Sequence, residues 1–218
     1  MKTTDRFKIV LLVMFGISLT ASGQTYDLIK VLKENKSSAV ARNASALNEG
    51  KYNAVRIDEN SGEGLLWIDG VNFSSGSIEV DLRGKDVLQR SFVGIAFHGV
   101  NDSTYDAIYF RPFNFHSKDS IRKIHAVQYI SHPEFGWKKL REEKNGIYEK
   151  AVTPAPDANG WFHAKIEVKN GEVVVYVDGA KKPSLSIKKL NERKSGKIAL
   201  WVGDSSGGDF ANLKITPR

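Results

Sequence analysis

From residue 52 onward, apolar and polar side chains alternate in one short run after another. A period of two belongs to an extended strand, whose successive side chains point to opposite faces. Tyr52–Ile57, Gly64–Ile68 and Ser77–Arg83 fit it, divided by clusters of Gly, Asn, Ser and Asp. In the third run Ile78, Val80 and Leu82 alternate with Ser77, Glu79, Asp81 and Arg83, the pattern of a strand with one wet face. Phe92–His98 places Phe92, Gly94, Ala96 and His98 on one side and Val93, Ile95 and Phe97 on the other. Tyr105–Arg111 sets Tyr105, Ala107, Tyr109 and Arg111 opposite Ile108 and Phe110, and Pro112 ends the run by removing a ladder donor. A polar loop, His116–Lys123, leads into a third apolar run, Ile124–Ile130.

Asn170-Gly171 between two alternating runs, His163–Lys169 and Glu172–Asp178, is a strong hairpin signal. Ser184–Ile187, Ile198–Val202 and Phe210–Ile215 complete the strands, and helical spacing is confined to Tyr26–Lys36 and Glu134–Glu143. Ten to twelve strands, at most two short helices and no strand–helix alternation predict an all-β fold. Its architecture is a two-sheet antiparallel β-sandwich of the jelly-roll kind.

The first residues follow a different logic. Lys2, Arg6 and Lys8 precede an apolar run, Ile9–Leu19, and then the small residues Ala21-Ser22-Gly23. That sequence of features predicts a secretory signal peptide over 1–23, leaving one sandwich domain over 24–218. The expected location is secreted, periplasmic or extracellular, with no membrane attachment after cleavage. The chain has no Cys, which excludes thiol catalysis and thiolate metal sites and leaves an exported domain to rely on its core.

The formal net charge is +7. Much of the surplus lies in Lys181, Lys182, Lys188, Lys189, Arg193, Lys194 and Lys197, which read as a solvated edge guarded by Lys, or as a patch for an acidic glycan. No nucleic-acid motif appears, and export removes that partner.

Carbohydrate recognition needs an aromatic plate for the sugar ring and planar donors and acceptors for its hydroxyls. Tyr109 and Arg111 share a strand face, and Gly94 and Ala96 beside His98 leave room above a neighbour. The next strand offers either His125 with Tyr129, or Gln128, because a register change of one residue exchanges the two sets. Trp137 is a candidate stacking residue, whereas Trp67, Trp161 and Trp201 read as packing. The histidines lack metal-ligand spacing. No cofactor is expected, with Ca2+ at the loop carboxylates Asp204 and Asp209 as the one alternative.

Three phrases carry a resemblance: Gly76-Ser77-Ile78-Glu79-Val80-Asp81-Leu82-Arg83-Gly84, Tyr105-Asp106-Ala107-Ile108-Tyr109-Phe110-Arg111-Pro112 and Gly207-Gly208-Asp209-Phe210-Ala211-Asn212-Leu213. With the closing hairpin, the chain resembles secreted bacterial domains of the concanavalin A-like lectin/glucanase superfamily, nearest to laminin-G-like domains and those labelled 3-keto-disaccharide hydrolase. The resemblance implies a curved sandwich holding an oligo- or polysaccharide on its concave face. It also implies two alternatives: a hydrolase or lyase of (3-keto-)glycosides, and a protein-interaction or structural domain. Glu79-Val80-Asp81 is similar to the start of the Glu-x-Asp-x-x-Glu strand of laminarinase-type glucanases, which makes Glu79 and Asp81 catalytic candidates along with His125. Gly84 stands where that strand's second Glu belongs.

Overall fold

The computed structural model describes residues 22–218, so the signal-peptide expectation over 1–23 lies almost wholly outside the described residues. The chain begins with β1 (Gln24–Tyr26), helix α1 (Leu28–Lys33), β2 (Ser37–Val40), β3 (Ala44–Glu49), β4 (Tyr52–Asn60) and β5 (Gly64–Ile68). The middle holds β6 (Gly76–Arg83), β7 (Val93–Asn101), β8 (Thr104–Phe110), helix α2 (Ser120–Lys123), β9 (Val127–Ser131), helix α3 (Trp137–Glu143) and β10 (Glu149–Lys150). It closes with β11 (Phe162–Lys169), β12 (Glu172–Val177), β13 (Leu185–Lys188), β14 (Lys197–Val202) and β15 (Ser206–Pro217).

All pairings are antiparallel and form two sheets. One runs β13-β12-β11-β6-β15-β4-β3, with β1 added on β15; the other runs β10-β9-β8-β7-β14-β5-β2. The alternation along each strand decides what lies between them. Ile78, Val80 and Leu82 of β6 are fully buried beneath Ile95, Phe97, Ile108 and Phe110 of the second sheet. Phe110 meets Phe162 of β11 edge-on, with ring centroids 5.1 Å apart. The hairpin turn has both Asn170 and Gly171 at positive φ, 52° and 78°, as a two-residue hairpin whose twist matches its strands requires.

Four short strands escape the sequence pattern: β1, β2, β3 and β10. Each lies at a sheet edge or beside one, and β2 and β3 have half-exposed and exposed residues with no strict alternation. The apolar run Ile124–Ile130 is divided: a short α2, capped by Asp119 Oδ1 accepting from Ile121 N, precedes β9, which starts only at Val127.

On the eight-stranded sheet's outer face, Asp209 links Arg56 and Arg83, and Arg83 also pairs with Glu49. Asp209 is therefore tied up by two guanidiniums, with its side chain only 7% exposed. Asp204, five residues earlier, points one carboxylate oxygen at the Gly62 amide instead. The pair offers no joint cation cage, and no group of three or more His, Cys, Asp or Glu gathers as a metal set among the described residues.

Candidate functional site

The register of the seven-stranded sheet lines up one row across six strands. Leu65 pairs with Trp201, Trp201 with Gly94, Gly94 with Tyr109, Tyr109 with Gln128 and Gln128 with Glu149. Directly paired residues project to the same side. Ile95, Ile108 and Tyr129 form the adjacent row and face the core, so the Trp201–Glu149 row faces outward. Over it lies a hollow of about 500 Å³, lined among others by Glu63, Tyr109, Arg111, His125, Trp137 and Trp201.

The floor is aromatic. Tyr109 and Trp201 come within 4.8 Å, centroid to centroid, and Phe92 stands 6.1 Å from Tyr109 and edge-on to Phe113 at 5.5 Å. The glycine between the two rings makes this contact. A Cβ on Gly94 would lie 2.6 Å from the Tyr109 Cα, so only a bare backbone lets Tyr109 lean across β7.

Arg111 sits at the centre of the polar floor, its guanidinium stacked on Tyr109 at 4.8 Å. Its Nη1 donates to the His125 carbonyl at 2.8 Å, and its Nη2 donates to the Tyr109 hydroxyl and to Gln128 Oε1. Tyr109 in turn donates to Gln128 Oε1 at 2.7 Å, which fixes the Gln128 amide with its oxygen inward. Burial pushes the Tyr109 phenol up to about 12, so the hydroxyl keeps its proton. Three buried polar atoms without a hydrogen-bond partner among the described residues gather here: Asn114 Oδ1, His125 Nδ1 and Gln128 Nε2.

Glu149 is buried behind this floor. Arg141 of α3 grips it with Nε and Nη2 at 3.2 and 2.9 Å, and Arg111 Nη1 lies 3.7 Å from it. His125 Nδ1 lies 2.7 Å from Glu149 Oε2, close but out of line for a hydrogen bond. Burial lowers the His125 imidazole below its ordinary range and outweighs the pull of that carboxylate. At the rim, Trp137 is 47% exposed with Arg141 over its ring at 5.3 Å.

The opposite side carries acids. Glu63 accepts from Tyr105 and His132, with Trp201 Nε1 at 3.4 Å. Burial alone would raise its carboxyl, but the bonds from His132, Tyr105 and Trp201 prevail and hold it below the usual carboxylate range. Asp204 joins it on that wall.

No protein-family model matches the chain, and no curated protein does. Solved structures share its architecture. The carbohydrate binding module CBM66 from Bacillus subtilis aligns with a TM-score of 0.60 at 17% identity, over 83% of this chain and 96% of that one. A native glycosidic hydrolase aligns at 0.57 and 13% identity, over 92% and 98%. The exoplasmic/lumenal domain of VIP36, in a Ca2+/Man-bound form, aligns at 0.52 and 14% identity, over 84% and 83%. The fold is the concanavalin A-like jelly roll.

Within this jelly roll the sequence candidates separate into three places. Tyr109, Arg111, Gln128, His125 and Trp137 come together at or beneath the hollow. The two options for the third strand are both realised in part: Gln128 shares the Tyr109 row, and His125 reaches the same region from the turn before β9, outside the strand's alternation.

Tyr129 faces the core instead, donating to Asp106 Oδ1 at 2.7 Å. His98 also departs from the hollow. The β7–β8 register shifts after Phe97, and His98 takes a positive φ of 50°, so its ring leaves the face shared by Gly94 and Ala96. There Nε2 donates to the Ser74 carbonyl at 2.8 Å and Nδ1 accepts from Lys189 at 2.7 Å. Lys189 and Arg193, read from sequence as solvated charges, are folded onto Asp106 at 3.3 and 2.9 Å.

Glu79 and Asp81 lie on the outer face of β6, in the other sheet, where His163 Nδ1 contacts Asp81 at 2.7 Å and Nε2 contacts Glu79 at 3.6 Å. They cannot act in the hollow. The residues missed from sequence are Glu63, Arg141, Glu149 and Trp201. Trp201 alternates with Leu200 and Val202 in an apolar run, and nothing local says which face is covered.

Proposed function

We propose that this protein binds carbohydrate, as an oligo- or polysaccharide, in the hollow over the Trp201–Tyr109 row. The observation carrying the reading is the pairing of an aromatic floor with convergent planar polar groups: Trp201, Tyr109 and Trp137 beside Arg111, Arg141, His125 and Glu63. Sugar rings offer C–H faces to aromatic plates and hydroxyls to such donors and acceptors, and ligand sites are typically apolar hollows with a few placed polar groups. The jelly roll shared with a carbohydrate binding module and with VIP36 supports the same reading.

Binding without bond cleavage fits the acids present. A glycosidase needs a carboxylic acid with a raised pKa and a second carboxylate placed against it. Glu63 is held the other way, below the usual range, and Glu79 and Asp81 belong to the opposite sheet. We further propose that the protein is exported, as the basic-apolar-small pattern of residues 2–23 supports.

Trp201 and Trp137 border the hollow, so intrinsic fluorescence reports its occupancy. Titration with a panel of neutral and acidic oligosaccharides is expected to give a saturable change for at least one, with affinity reduced severalfold in Trp137→Ala. A folded protein that no oligosaccharide perturbs would overturn the reading.

A further inference from the structure

We infer that the sugar held in the hollow carries a carboxylate, seated against Arg111 and Arg141, so that the ligand class is a uronic-acid-containing glycan; the inference rests on the carbohydrate reading above. The charges of the hollow are segregated along the sheet order. Arg111, Arg122 and Arg141 belong to the side of β8, β9 and α3, whereas Glu63 and Asp204 flank β5 and β14. On the cationic side a single acid, Glu149, is shared by Arg141 at 2.9 Å, Arg111 at 3.7 Å and His125 at 2.7 Å. Arg122 makes no ion pair among the described residues, although it lines the hollow. Positive charge there exceeds the protein's own negative charge: the buried Arg111 lies beside the equally buried Glu149, and the surplus falls on the partly exposed Arg141 and Arg122.

That surplus lines the hollow, where it attracts an anion entering it. Arg111 Nε has no hydrogen-bond partner among the described residues, and neither has Arg141 Nη1. Guanidinium donors match a planar carboxylate best, since two parallel N–H groups meet its two oxygens. The opposite wall completes the match. The Glu63 and Asp204 carboxylates accept hydrogen bonds, which suits the hydroxyls at the far end of the same ring. The lysine-rich run after β12 takes no part, because none of its members lines this hollow.

Isothermal titration at low salt with an oligouronate, the same oligomer reduced to primary alcohols, and a sulfated neutral oligomer tests the inference. The oligouronate is expected to bind, and the reduced form to bind roughly 10- to 100-fold more weakly, the worth of one charge-assisted contact. Arg141→Gln, and independently Arg122→Gln should the first fail to fold, is expected to weaken only the acidic ligand and flatten its salt dependence. Equal binding of the reduced oligomer overturns the carboxylate while leaving the carbohydrate reading in place. Preference for the sulfated oligomer overturns it in favour of a tetrahedral anion. No binding by any of the three, nor by the neutral panel, overturns both.

Discussion

Tyr109 and Trp201 stand on strands separated by β7, yet their rings meet at 4.8 Å because Gly94 lies between them. A Cβ added at position 94 would fall 2.2 Å from the Ile108 carbonyl oxygen, a backbone atom that cannot swing aside. Gly94→Ala is therefore expected to destabilise the fold by about 1–3 kcal/mol, the usual cost of overpacking. The same change pushes Tyr109 off Trp201 and weakens glycan binding. Urea denaturation with matched titrations checks both, and unchanged stability would mean that β8 shifts to make room.

Trp137 separates binding from folding. It is 47% exposed at the rim, so Trp137→Ala is expected to shift stability by no more than about 0.5 kcal/mol. Glycan affinity should fall severalfold. A retained affinity removes Trp137 from the site.

Asp106 makes a prediction in acid. Burial would raise its carboxyl, but Lys189, Tyr129 and Arg193 outweigh that and hold it at about 2. The unfolded value is near ~3.9, so its contribution, of order 2 kcal/mol, is complete above that pH and lost as pH falls toward 2. Asp106→Asn should lower stability at neutral pH and flatten the decline between pH 4 and pH 2. An identical acid slope in wild type and variant would falsify the assignment.

His163 behaves with the opposite sign. Its hydrogen bond with Asp81 raises its pKa above the ordinary value. The stabilisation is fully present below the unfolded value of ~6.5 and fades as pH rises through the folded one. The stability gap between wild type and His163→Gln should narrow on going from acid to alkaline conditions. Catalytic Glu79 and Asp81 would add a loss of activity with this substitution.

Asp209 is structural in this arrangement. Its carboxylate is shared by Arg56 and Arg83, and Asp209→Asn is expected to cost about 3 kcal/mol, toward the low end for breaking a buried pair because Arg56 is half exposed. Calcium titration should leave the melting temperature of the wild type unchanged. A calcium-dependent rise that Asp209→Asn abolishes would instead support a cation site in this loop.

The alternation of Ile78, Val80 and Leu82 with polar neighbours, and of Val93, Ile95 and Phe97 with smaller ones, was enough to predict strands and the all-β class. Side-chain period is a local property, and burying one apolar face against another leaves a stacked pair of sheets as the solution. The hairpin at Asn170-Gly171 was legible for the same reason, since positive φ at both turn residues is a local demand. So was the shared face of Tyr109 and Arg111.

What the sequence left open was which strand lies beside which, and in what register. Gln128 and Tyr129 are adjacent in the chain and face opposite ways, and only the pairing of Tyr109 with Gln128 puts the glutamine under the hollow and the tyrosine in the core. His98 was turned away by a bulge that its local pattern does not announce. Trp201 and Glu149 join Tyr109 through pairings between strands far apart in the chain, and Glu79 and Asp81 were sent to the other sheet in the same way. Period fixes the two faces of each strand, but non-local pairing decides which of those faces share a site.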